Sequence, residues 1–192
     1  MSKNKAVILD RDGTINVDKG YVHRVEDFTY LEGVIEGLKI LQQEGYILIV
    51  ITNQSGIARG YFSEDDYKKL EKWMINDLKE KSVNISASYY CPHHPQAKVD
   101  KYRKECNCRK PRLALFEKAI SEFDIDTDNL ILVGDKERDV AFCKKYQSVR
   151  GIVIYSNEKH ILNNISYVKG GLLEAAKLIT GYADGILDQA DY

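Results

Sequence analysis

Two groups of side chains in this sequence have types and spacings that could do chemistry. The first is Asp10-Arg11-Asp12-Gly13-Thr14, directly after the apolar run Ala6-Val7-Ile8-Leu9. Carboxylates two residues apart, just past a strand end, can converge on one cation, although the same composition also suits a solvated turn. The second group is Cys91-Pro92-His93-His94-Pro95, followed by Cys106-Asn107-Cys108. Thiolate and imidazole groups in a set of four suit tetrahedral Zn²⁺, and a site closed by four protein ligands is structural. His93 and His94 compete for the imidazole place. A reduced buried cysteine pair or a redox pair also fits the spacing. Cys108 runs straight into Arg109-Lys110-Pro111, so an ion there would fix a loop that presents two cations. Cys143, inside an expected helix, reads as a small buried hydrophobe.

These groups need a frame. Apolar runs at 6–9, 46–51, 130–133 and 151–155 lack polar alternation, which suits parallel strands covered on both faces. Between and after them, helical spacing is read at 34–44, from the Ser63 cap to about 81, and at 113–123, 136–146 and 172–179. Ser63 with Asp66 three residues on approaches a capping box. Strands alternating with helices predict an α/β, doubly wound, mostly parallel sheet. Ligands of such sheets bind beyond the carboxyl ends of the strands. Asp10, Thr52 and Asp135 end three of the predicted strands. All three prolines, Pro92, Pro95 and Pro111, fall in the Cys/His stretch, which predicts an irregular, rigid loop at about 91–110.

Bulk properties narrow the class. At 192 residues, one domain over 1–192 is expected. A net charge of −1 gives no electrostatic footprint for nucleic acid or an anionic membrane, so any anion must be bound by a local site. No apolar run approaches the roughly 18 residues of a membrane span. Met1-Ser2-Lys3-Asn4-Lys5 leads into a strand without the apolar core of a secretory leader, so a cytoplasmic location is expected. Clustered cysteines in a reducing compartment suggest metal more than disulfides.

Taken in order, Asp10-x-Asp12-Gly13-Thr14, Thr52-Asn53, Lys110 and Gly134-Asp135-x-x-x-Asp139 resemble the motifs of haloacid dehalogenase-like hydrolases, over residues 6 to about 140. The resemblance implies a phosphatase with Asp10 as nucleophile and Asp12 as general acid and base. It implies Mg²⁺ at Asp10, Asp12 (through its main-chain carbonyl) and Asp135, with Thr52 and Lys110 holding the transferring phosphoryl oxygens. Such chemistry needs these residue types, because a phosphate dianion repels an anionic nucleophile until its charge is neutralised. Asp139 is expected to stand behind the metal ligands. Only 41 residues separate Asp10 from Thr52, and 57 separate Thr52 from Lys110, so no separate cap domain is expected and loops must roof the site.

Intermediate segments sharpen the resemblance. Gly20-Tyr21-Val22-His23, Gly33-Val34-Ile35, Thr52-Asn53-Gln54-Ser55-Gly56-Ile57-Ala58-Arg59-Gly60, the Cys/His segment and Cys108-Arg109-Lys110-Pro111 are together similar to the D-glycero-D-manno-heptose 1,7-bisphosphate 7-phosphatase family. That family implies Zn²⁺ at Cys91, His93, Cys106 and Cys108. It implies contacts to a small phosphorylated sugar from Asp18, Lys19, Gly20, Tyr21, Asn53, Gln54, Ser55, Arg109 and Lys136. A bidentate guanidinium at Arg109 suits a second phosphate. A monomer without nucleic-acid or membrane partners is expected. Two stretches depart from the family pattern. Arg112-Leu113-Ala114 stands where a Pro-Gly pair is frequent, and 142–150 lacks the usual small residues. The zinc-containing histidinol-phosphate phosphatases share the aspartates and the Cys/His loop, and a metal-binding scaffold on an inactive fold is the reading from another class.

Overall fold

The computed structural model describes residues 3–155, 161–162 and 164–181. Seven strands form one sheet: β1 (Asn4–Leu9), β2 (Ile47–Asn53), β3 (Ile85–Cys91), β4 (Ile125–Gly134), β5 (Arg150–Ile154), β6 (Ile161–Leu162) and β7 (Ile165–Val168). Their order is β3-β2-β1-β4-β5-β7-β6, and only the β6–β7 pair is antiparallel. The helices are α1 (Val34–Gln43), α2 (Ser55–Ala58), α3 (Glu64–Glu80), α4 (Ala114–Glu122) and α5 (Leu172–Thr180). The expected mostly parallel α/β sheet is present, and the described residues contain no cap domain. The tail from Gly181 onward was left open by the sequence, and 182–192 lies outside the described residues.

Period-two alternation builds two cores from one strand. Val7 and Leu9 point to one face, packing with Leu38 and Leu41 of α1, Met74 of α3 and Ala175 of α5. Ala6 and Ile8 point to the other face, with Phe116 of α4, Leu132 and Phe142. A chain covered on both faces has no room for polar alternation, which is why the central strands read as unbroken apolar runs. The Ser63 cap closes as expected. Its hydroxyl accepts from the Asp66 N–H at 3.1 Å, and the Asp66 carboxylate accepts from the Ser63 N–H at 3.0 Å.

Several elements differ from the sequence reading. Strands β3, β6 and β7 and the short helix α2 were not expected. Strand β3 is an edge strand in which the five residues between Ile85 and Cys91 are all half-buried, so it carries neither a continuous apolar run nor a clean alternation. The helix expected over 136–146 is instead two 3₁₀ turns, Glu137–Asp139 and Ala141–Lys144. Asp139 lies in the first of these turns. Its carboxylate accepts from the Lys136 N–H at 3.1 Å, as Asp66 does from Ser63, and it also pairs with Lys110 at 2.8 Å.

Candidate active site

Strands β2, β1 and β4 lie side by side, so Thr52, Asp10 and Asp135 emerge together at their carboxyl ends. Asp10 is 6% exposed. The Lys110 ammonium donates to Asp10 Oδ1 at 2.8 Å and to the Ile51 carbonyl at 2.6 Å, and also pairs with Asp139 at 2.8 Å. Burial pushes the Asp10 carboxyl up, and Lys110 opposes that push. Burial alone would lower the Lys110 ammonium, but Asp10 and Asp139 more than offset it and hold it charged. Removing Lys110 would leave two buried carboxylates uncompensated, a loss of about 3–5 kcal/mol.

Asp12 is held by three side chains. The Arg11 Nη2 donates to both of its oxygens at 2.8 Å, Asn16 donates at 3.0 Å and Gln54 at 2.9 Å. Arg11 is wholly buried, also donates to the Val22 carbonyl, and lies over the Tyr67 ring. Arg11 and Asn16 were not anticipated. The available signal was a charged residue in the middle of the Asp-x-Asp triplet, with a carboxylate neighbour on each side.

Asp10, Asp135 and Asp139 each offer an oxygen within 4.8 Å of the others. Asp135 Oδ1 is buried without a hydrogen-bond partner, while its Oδ2 accepts from Lys136 at 2.8 Å. A spare carboxylate oxygen facing two more carboxylates is a donor set that fits a hard divalent cation. Gly13 makes this approach possible. Its φ is +86°, and a Cβ there would lie 2.6 Å from Asp135 Oδ2.

A cleft of about 300 Å³ opens over these groups, lined by Asp10, Asp12, Thr52, Ser55 and the Asp18–Tyr21 loop. Asp18, Gly20 and Tyr21 face it. Lys19 does not, because its ammonium donates to the Asp27 carbonyl and the Thr29 hydroxyl. Asn53 and Gln54 line the cleft with their amides already engaged. Asn53 exchanges two 3.0 Å bonds with the Lys110 backbone, and Gln54 donates to Asp12 and to the Thr52 hydroxyl. Lys136 sits at the rim, 3.9 Å from Asp18. Arg109 lines a neighbouring hollow with His94 and Arg112, and its guanidinium donates to the His93 carbonyl at 3.3 Å. Arg138, which the sequence reading did not single out, lines the cleft itself.

The Cys/His group is assembled as well. Cys91 ends β3, hydrogen-bonded through its carbonyl to the Gln54 N–H, and so stands beside the strand end that carries Thr52. Its sulfur lies 3.2 Å from Cys108 Sγ and 3.6 Å from Cys106 Sγ, and His93 Nδ1 lies 3.3 Å from Cys108 Sγ. Zn–S bonds of about 2.3 Å set tetrahedral ligands about 3.8 Å apart, a few tenths of an ångström wider than these separations, and the chemistry of the donor set fits that ion. His93 belongs to the group, whereas His94 Nδ1 accepts from the Gln96 N–H. Cys143 is buried, and burial pushes its thiol up to about 12.

Comparison with known proteins agrees with this geometry. A family profile described as polynucleotide kinase 3 phosphatase matches residues 5–148. A D-glycero-beta-D-manno-heptose-1,7-bisphosphate 7-phosphatase of Pasteurella multocida is 41% identical over 181 residues, covering 92% of this chain and 97% of that protein. The chain belongs to this phosphatase family. The protein of the same description from Haemophilus influenzae is 50% identical over 137 residues, 71% of this chain and 74% of its own. Among solved structures, a D,D-heptose 1,7-bisphosphate phosphatase of B. bronchiseptica complexed with magnesium and phosphate shares the fold, with a TM-score of 0.78. It is 24% identical and covers 93% of this chain and 99% of that one. The family resemblance runs through the residues that build the cleft, from Asp10 to Asp139.

Proposed function

We propose that this chain removes the C7 phosphate of D-glycero-D-manno-heptose 1,7-bisphosphate, through an aspartyl phosphate formed on Asp10. The carrying observation is the convergence of Asp10, the Lys110 ammonium and the spare oxygen of Asp135 at three adjacent strand ends. Asp10 Oδ attacks phosphorus and the sugar alkoxide leaves, which splits hydrolysis into two easier displacements. Asp12 protonates that alkoxide and later takes a proton from the attacking water. Its two oxygens are oriented for both turns by the Arg11 fork. Lys110 and the Thr52 hydroxyl meet the charge that spreads over the transferring oxygens. Mg²⁺ held by Asp10, the Asp12 carbonyl and Asp135 would supply further neutralisation of that charge. Zn²⁺ at Cys91, His93, Cys106 and Cys108 would hold the loop that carries Arg109 and Lys110.

The substrate assignment rests on the extent of similarity to the Pasteurella protein, together with the loop residues Asp18, Gly20, Tyr21 and Ser55 on the cleft wall. The same reading makes the protein a cytoplasmic monomer that engages neither nucleic acid nor membrane. The net charge of −1 supports the absence of nucleic-acid and anionic-membrane partners, and none of the described helices is long and apolar enough to cross a membrane. The test is phosphate release from heptose 1,7-bisphosphate, heptose 7-phosphate and histidinol phosphate. The bisphosphate should be used best and should leave heptose 1-phosphate. A preference for histidinol phosphate would overturn the substrate, and no release from any of them would overturn the activity.

A further inference from the structure

Two ring pairs fasten the substrate loop to the turn that follows α2. Tyr21 and Tyr61 lie with ring centroids 4.7 Å apart, edge to face at 65°. His23 stacks on Phe62, also at 4.7 Å and nearly parallel. Both tyrosines are large and exposed, 43% and 51%. Tyr21 also has φ +57°, a left-handed conformation costly for a side chain of this size, and such strain gathers at ligand sites.

The two sides differ in support. Tyr61 is tied down, because its N–H donates to the Gly56 carbonyl and the neighbouring Phe62 ring fills the space where a Gly56 Cβ would stand. Gly56 and Ser55 themselves line the cleft. Tyr21 stands on an exposed loop, and it faces the cleft while Tyr61 does not.

We propose that Tyr61 is a positioning residue: its ring holds the Tyr21 ring as an apolar wall for the carbon skeleton of the sugar. This rests on the sugar-phosphatase reading. A cleft roofed by loops must find its apolar contact in the loops, and tyrosines supply rigid area at small entropic cost.

The test compares wild type, Tyr61→Ala and Tyr61→Phe on heptose 1,7-bisphosphate and on glycerol 1-phosphate, an acyclic three-carbon monoester. Tyr61→Ala should raise KM for the heptose about three- to tenfold, as the coupling of one aromatic pair supports. Its kcat, and its KM for glycerol 1-phosphate, should stay within about twofold of wild type, because Tyr61 touches no reacting group. Trypsin should cut after Arg24 sooner in Tyr61→Ala, and Tyr61→Phe should behave as wild type in both assays. An unchanged heptose KM in Tyr61→Ala, an equal loss on both substrates, or a Tyr61→Phe variant as impaired as Tyr61→Ala would each overturn the proposal. A wild-type enzyme inactive on both substrates would instead overturn the phosphatase reading and this inference with it.

Discussion

The aspartate cleft and the Cys/His loop stand at the same end of the sheet, yet they are held in opposite ways. Asp10, Thr52 and Asp135 are placed by three hydrogen-bonded strands, and the chain supplies its own buried cation, Lys110, to balance Asp10 and Asp139. In the Cys/His group only Cys91 belongs to a strand. His93, Cys106 and Cys108 lie where the regular structure among the described residues is one 3₁₀ turn, Asp100–Tyr102. Five of the six pairs among the three sulfurs and the imidazole nitrogen lie 3.2–3.7 Å apart. Backbone order positions the first site before any ion arrives. The second site has a donor set that could hold a metal ion, and its order is expected to depend on that ion.

The comparison breaks most directly at Asp10. Asp10→Asn keeps the side-chain shape and leaves Lys110 paired with Asp139, so the circular dichroism spectrum should not change. Turnover should fall by at least about 1,000-fold, because the attacking anion is gone. Near wild-type phosphate release from contaminant-free protein would remove Asp10 from its role.

Metal removal separates the two regions. The purified protein should carry one zinc per chain without added metal, measured by elemental analysis, while activity should still need added Mg²⁺. Stripping the zinc should raise amide exchange across 92–113 and leave the amides of β1 and β4 protected. Folded, active protein without any transition metal would show that the loop orders itself, and the contrast between the sites would vanish.

Arg109 lies on the boundary. Its guanidinium bonds the His93 carbonyl, and it directly precedes Lys110. If it grips the second phosphate, Arg109→Ala should cut kcat/KM for the bisphosphate by one to three orders of magnitude, about 1.5–4 kcal/mol. A monophosphate should lose far less. Equal losses on both would place Arg109 in loop support and not in recognition.

How much of this was legible follows the same division. Asp10, Thr52 and Asp135 could be read because unbroken apolar runs mark buried strands and the polar residues just past each run mark the ligand end, whereas Asp12 came from its spacing to Asp10 and the family resemblance. The Cys/His set was readable from ligand chemistry, which left His93 and His94 in competition; the family resemblance implied His93, and the fold turns His94 onto the Gln96 backbone. Side chains that serve other side chains were not legible. Arg11 had no role in the sequence reading and is the wholly buried fork on Asp12. Asn53 and Gln54, which the resemblance implies as substrate contacts, line the cleft and also bond Lys110 and Asp12 through their amides. Such partners are separated by up to 57 residues in sequence, and no local pattern records them. Strand β3 was hidden because an edge strand need not be apolar on both faces.

The smallest expected effect sharpens the contrast at a third point, the start of α3. Glu64, the first residue of that helix, accepts from the Tyr90 hydroxyl at 3.1 Å and from the Tyr102 hydroxyl at 3.0 Å, and Tyr102 belongs to the Cys/His loop. The helix therefore offers the loop an anchor that is not the ion. Ser63→Ala removes the capping hydroxyl and should cost about 1 kcal/mol, read as a fall of about 2–4 °C in Tm. If the ion orders the loop, zinc content, the exchange rates of 92–113 and KM should all match wild type, because fraying one helical turn leaves the four ligands joined. If those amides instead lose protection together with the first turn of α3, the loop is anchored through Glu64. The Cys/His group would then be held by the fold, as the aspartate cleft is.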